Sequence, residues 1–150
     1  MWVHARKVQM LFAKIKRRFP HDLKTFYFHN VIYDQVYEDE ARRKPFTLRK
    51  VMENSPDFRV FIIGDSYMGP HELLSPYGSI EFREESSTPG LENLKTLHDH
   101  FPYLVWINPT PKQFWNRTVA SYIQQVIHME TLTINGIIEA AKHMNQIKHF

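Results

Sequence analysis

The chain contains no cysteine, so it can build neither a disulfide framework nor a thiolate metal site. No apolar run approaches the ~20 residues a membrane-spanning helix requires, which excludes that class of membrane attachment. The opening residues, Met1-Trp2-Val3-His4-Ala5-Arg6-Lys7, lack the charged-then-apolar order of a secretory signal, so a reducing cytoplasm is the expected compartment. Histidine is plentiful, at 9, but H-E-x-x-H does not occur. His98 and His100 are two apart on an expected helix and point to different faces, which argues against a histidine-bound transition metal. Internal repeats, low-complexity tracts and linkers are also absent.

What remains is an ordinary globular composition. The 150 residues suit one domain with a real core, at 43% hydrophobic, 23% charged and 14% aromatic. The formal charge of +3 is unevenly spread: residues 1–50 carry 12 Lys and Arg against 5 Asp and Glu, and the remainder is net acidic. Such asymmetry suits a solvated basic helix face or an acidic partner. It does not make a nucleic-acid interface, because Phe12 and Phe19 fall on the apolar side of the first helix rather than among its positive charges.

Taken in order, residues 2–19 read as an amphipathic helix. Val8, Leu11, Phe12, Ile15 and Phe19 recur at helical spacing, Lys7, Lys14 and Arg18 lie opposite, and Pro20 stops it. Leu23 to Val31 and Ile32 to Glu38 read as an antiparallel hairpin turning at His29-Asn30, its second strand at a sheet edge. A basic loop, Arg42 to Pro45, leads to Thr47, placed to cap a short helix from Leu48 to Asn54. Val60 to Ile63 is a β-branched and aromatic run, the pattern of a strand buried on both faces. A helical turn around His71 to Leu74 and a loop from Ser75 to Ser87 follow. Thr88-Pro89 starts a helix with Leu91, Leu94 and Leu97 on its apolar side. Tyr103 to Ile107 is a second apolar strand. The segment from Phe114 to Ile127 suits strand or helix. Thr133 caps a last helix whose Ile134, Ile137, Ile138, Ala141 and Met144 share a face. This order predicts an α/β fold, doubly wound around a mostly parallel sheet with one antiparallel edge strand. Such domains open on a strand and this chain opens on a helix, so a central first strand is expected upstream of Met1.

Candidate site residues cluster where the apolar strands stop. Gly64-Asp65-Ser66 sets a carboxylate and a hydroxyl at the C-terminal end of Val60–Ile63, the edge where open α/β sheets bind ligands. Asn108 ends the next strand and points to the same crevice, although Asn-Pro also starts turns. Trp106 and Trp115 suit the core. An apolar strand ending in Gly-Asp-Ser also resembles the nucleophile block of GDSL-type ester hydrolases, with Ser66 attacking the ester. Those enzymes place the block after their first strand and activate the serine through a D-x-x-H, and no aspartate here has a histidine three places on.

Five blocks together resemble the von Willebrand factor type A domains of the bacterial CoxE-like group. They are the first helix, FYFHNVIYDQVYED, RVFIIGDSYMGPHELL, YLVWINPTP followed by Trp115, and the closing TLTINGI helix. The resemblance implies a non-enzymatic protein-binding module. Its partner would be a MoxR-type AAA ATPase, and its role the assembly or activation of other proteins. It also implies a metal-ion-dependent adhesion site, in which hydroxyls and carboxylates hold Mg and leave one position for a partner's acidic side chain. Asp65 matches that site's aspartate after the fourth strand, and Thr47 matches its threonine more loosely. The D-x-S-x-S loop that opens the site is not in this sequence, so Asp65 and Thr47 would supply only part of the Mg shell. Ser66 and Asn108 would then face the partner.

Overall fold

The computed structural model describes residues 23–81 and 86–147, together with positions 6, 10, 11, 13, 14 and 17. Those six positions are helical. The rest of the helix expected over 2–19, including Val8, Phe12, Ile15, Phe19 and its stop at Pro20, lies outside the described residues.

Three parallel strands form the centre: β3 (Val60–Ile63), β4 (Leu104–Asn108) and β5 (His128–Thr131), in the order β3-β4-β5. The register sets Ile62 beside Trp106 and Trp106 beside Met129. Alternation then sends successive residues of β4 to opposite faces, and both faces are covered. Leu104 and Trp106 join Ile62, Met129, Leu94 and Leu97 in the larger core, with Ala120 and Ile123. Tyr103, Val105 and Ile107 join Ala140 and Met144 in a smaller one. Every residue of β4 is buried, which is why it reads as a continuous apolar run.

Helices follow the strands. After β3 come α2 (Pro70–Leu74) and α3 (Gly90–His100). After β4 come a 3-10 helix (Lys112–Arg117) and α4 (Ala120–Ile123). After β5 comes α5 (Ile134–Gln146). Two threonine caps stand where expected. Thr47 Oγ1 accepts from Lys50 N at 3.3 Å to start α1 (Leu48–Val51), and Thr133 Oγ1 accepts from Gly136 N at 3.0 Å to start α5. None of the described helices is long and apolar enough to cross a membrane.

Four features differ from expectation. Among the described residues the single sheet is two: β1 (Gln35–Tyr37) pairs antiparallel with β2 (Pro45–Thr47), and neither joins the parallel sheet. The hairpin partner of residues 35–37 is thus Pro45–Thr47, which spans the end of the expected loop and the expected helix cap. The Asp39 side chain fixes that turn, accepting from Arg43 N and Lys44 N at 2.8 Å each. The upstream segment keeps one bridge, Tyr27 to Tyr37, while Asn30, at φ 54°, turns the chain between His29 and Val31.

The third difference is β5, a strand just beyond the ambiguous segment Phe114 to Ile127, where no element was expected. Only Met129 is fully buried in it, so it carries no apolar run. The fourth is α5, which buries Gly136, Ala140 and Met144 and leaves Ile134 81%, Ile138 47% and Ile137 38% exposed. A close approach selects the small-residue face: a Cβ on Gly136 would lie 1.9 Å from the Thr131 carbonyl oxygen.

Candidate functional site

The C-terminal ends of β3 and β4 meet in a polar lock. Where β3 ends, Gly64 leaves room for the Trp106 indole, which a Cβ would approach to 2.8 Å. Trp106 Nε1 donates to the Gly64 carbonyl at 2.8 Å, so the core tryptophan also anchors the turn. Ser66 then takes a left-handed backbone conformation, φ 54°, which costs a non-glycine residue roughly 1–2 kcal/mol. That conformation points the hydroxyl inward.

There the Ser66 hydroxyl is fully engaged. It donates to the Asp65 carbonyl at 2.7 Å, accepts from Asn108 Nδ2 at 2.9 Å and lies 3.3 Å from Thr118 Oγ1. Asn108 Oδ1 in turn accepts from Thr110 N at 2.9 Å. The Thr110 carbonyl accepts from Trp115 Nε1 at 2.7 Å, which ties the 3-10 helix to the same turn. Trp115 therefore packs and bonds, as a core residue does.

Asp65 stands at the outer side of this lock. It is half-buried, and among the described residues its Oδ1 accepts only from Tyr67 N, at 3.2 Å. No cationic side chain among the described residues pairs with it. The next residues along the chain, Tyr67 and Met68, line a cleft of about 240 Å³ together with Arg117, Thr118 and Tyr122. Small-molecule sites usually run to about 300–1,000 Å³, so this cleft has the size for one or two side chains rather than a whole substrate.

The predicted residues separate accordingly. Asp65 is at the rim, as expected. Ser66 and Asn108, expected to face a partner, are fully buried and act instead as supports for the Asp65 turn. Thr47 lies in the other sheet with its hydroxyl committed to capping α1, and no contact joins it to Asp65. Mg asks for about six oxygen ligands in near-octahedral array. The described residues bring one free carboxylate to the rim, and none of their His, Cys, Asp and Glu side chains group three together to hold an ion. As they stand they do not fit a complete Mg site.

A serine nucleophile requires a base within hydrogen-bond reach and access to substrate. Ser66 is buried, and its partners are a carbonyl, an amide and a threonine hydroxyl. The cleft residues Tyr67, Arg117 and Tyr122 were not singled out from the sequence. They come from one loop, the 3-10 helix and α4, and no spacing links them. No family model, no curated protein and no solved structure matches the chain.

Proposed function

We propose that this chain is a non-enzymatic protein-binding module, a von Willebrand type A-like domain of the CoxE-like group acting in the cytoplasm. The resemblance of its five sequence blocks names the partner class, a MoxR-type AAA ATPase, and the role, assembly or activation of other proteins. One contrast at the tip of β3 carries the binding reading. Asp65 offers a carboxylate that no cation among the described residues pairs with, while the adjacent Ser66 hydroxyl is buried and spent on structure. A rim carboxylate, with a side-chain-sized cleft opening from the next residues, Tyr67 and Met68, suits capture of a partner's surface. Turnover of an ester at the same place would need the hydroxyl free. Mg belongs to this reading as an ion whose shell Asp65, and more remotely Thr47, would share with ligands beyond the described residues.

The test is binding of the purified chain to an immobilised MoxR-type ATPase from the same source, with MgCl2 present. Saturable binding is expected, weakened about tenfold or more by Asp65→Ala, equivalent to at least ~1.4 kcal/mol, with the unfolding midpoint unchanged. No binding removes the ATPase as partner, and binding indifferent to Asp65→Ala removes the rim. Titration calorimetry with MgCl2 alone is expected to show no tight site. Hydrolysis of p-nitrophenyl acetate that disappears in Ser66→Ala would instead establish the GDSL-type hydrolase.

A further inference from the structure

β3 has hydrogen-bonding groups still to be used. Its bonds from Val60 N to the Tyr103 carbonyl and from Gly64 N to the Ile107 carbonyl run to β4. In a parallel pair alternate residues address the same neighbour, so the peptide groups of Phe61 and Ile63 point the other way. They reach an edge with which no strand among the described residues pairs. Val60–Ile63 carries none of the proline or lysine that blunts such edges in other proteins, and Phe61 is 47% exposed on it.

Opposite charges bracket this edge. At every second position the order is Arg59, Phe61, Ile63, Asp65. Arg59 is exposed, its guanidinium 5.4 Å over the Tyr103 ring, and no acid among the described residues pairs with it. Asp65 likewise has no cation there. Reversed, this order is its own complement. Antiparallel pairing about a two-fold axis at Ile62 sets Phe61 of each copy opposite Ile63 of the other, and Arg59 opposite Asp65. The same register matches the free peptide groups, because Phe61 and Ile63 then form pairs that exchange both of their N–H···O bonds. A slip of one residue would set free groups against groups already bonded to β4. A slip of two would leave either Arg59 or Asp65 without its opposite charge.

We propose that two copies of this chain pair antiparallel through their β3 edges, with Arg59 of each copy binding Asp65 of the other. The two parallel sheets join into one, and no open β3 edge remains. Phe61 lies against Ile63 of the second copy, an aromatic on a β-branched side chain, with a charge pair at either end; cross-strand pairs of both kinds are favourable. Strands of 4 residues bury less than the ~1,200 Å² of a standard interface, so the association is weak and depends on concentration. This assembly goes beyond the partner reading above and needs no ATPase to be measured. It also guards the rim: a partner that takes the Asp65 carboxylate must first part the two copies.

The test is sedimentation velocity of the purified chain over a wide concentration range, with a reversible monomer–dimer equilibrium expected. Arg59→Asp sets like charges opposite each other at both ends, as does Asp65→Arg with the other sign. Each is expected to weaken the dimer about tenfold or more. The double variant Arg59→Asp/Asp65→Arg, and an equimolar mixture of the two single variants, are expected to associate as the parent does. A chain monomeric throughout, a dimer indifferent to both single variants, or losses that neither the double variant nor the mixture restores would each overturn the assignment. Because Asp65 also accepts from Tyr67 N, its replacement can loosen the turn, so a second variant avoids it. Phe61→Lys, at an exposed position, is expected to abolish the dimer and leave the unfolding midpoint of the dilute chain unchanged. A dimer that survives Phe61→Lys overturns the β3 edge as its seat.

Discussion

Asn108→Ala is the sharpest perturbation of the candidate site, although Asn108 touches no solvent. The side chain bonds in both directions across the strand ends. Its Oδ1 accepts from Thr110 N, a residue only 2% exposed, and its Nδ2 donates to Ser66 Oγ. Truncation leaves the Thr110 N–H buried without an acceptor, at a cost of ~1–3 kcal/mol, and removes one bond of ~0.5–1.5 kcal/mol from Ser66, which keeps its other partners. The total is about 1.5–4.5 kcal/mol. For a chain of this length that lowers the thermal midpoint by roughly 5–15 °C. Such a loss is a large share of the ~5–15 kcal/mol that stabilises a typical domain.

The assay is urea unfolding of Asn108→Ala, Ser66→Ala and the double variant. Ser66→Ala alone leaves Asn108 Nδ2 with only the Met129 sulfur, 3.5 Å away. If the Asn108–Ser66 bond holds the rim, the two losses overlap, and the double variant is less destabilised than their sum by ~0.5–3 kcal/mol. An Asn108→Ala cost below ~1 kcal/mol, or strictly additive variants, would refute the lock.

Two further outcomes follow from the packing of α5. Burial, then the nearby His128 and His98, lower the His143 pKa below its ordinary 6.5, with Glu130 acting weakly the other way. An unfolded chain therefore holds more protons at this site just below pH 6.5. The stability His143 permits is complete above that pH and is lost as pH falls toward its lower folded value. His143→Gln should flatten urea-unfolding stability across that window, and an unchanged slope would count against the stacked pair. Gly136→Ala should destabilise despite a helix-propensity gain of ~1 kcal/mol, because the new Cβ would meet backbone atoms of Thr131. A net loss of ~1–3 kcal/mol is expected by chemical denaturation, and a stabilised variant would contradict the close approach.

The parts of the fold legible in the sequence are those where one local signal decides the structure. Val60–Ile63 and the strand at Leu104 announce themselves because burial on both faces demands unbroken apolar runs. Thr47 and Thr133 announce two helix starts because a cap acts within four residues. By contrast, β5 is silent: on the α5 face it meets the helix through His128 and Glu130, which bond to each other at 2.9 Å, so only Met129 had to be apolar. The isoleucines of α5 mislead for a related reason. They give the strongest periodic signal, yet the Thr131 backbone comes so near at Gly136 that the helix turns the face of Gly136, Ala140 and Met144 to the sheet instead. Asp65 could be placed at a strand tip from its neighbours alone. The burial of Ser66 and Asn108 could not, since it follows from one left-handed residue and a bond across 42 positions.

That bond also explains how the rim keeps its shape. Among the described residues β3 has a ladder on one side only, to β4. In a parallel pair, alternate residues direct their peptide groups to the same neighbour, so those of Val60, Ile62 and Gly64 meet β4 while those of Phe61 and Ile63 face the open edge. A four-residue strand held from one side is a weak platform for a carboxylate. Trp106 and Asn108 compensate, because both belong to the fully buried β4 and both reach over to the turn after β3, at Gly64 and Ser66. The position of Asp65 is therefore governed by the neighbouring strand more than by its own. Substitutions at Trp106 or Asn108 should move the rim even though neither residue reaches the surface.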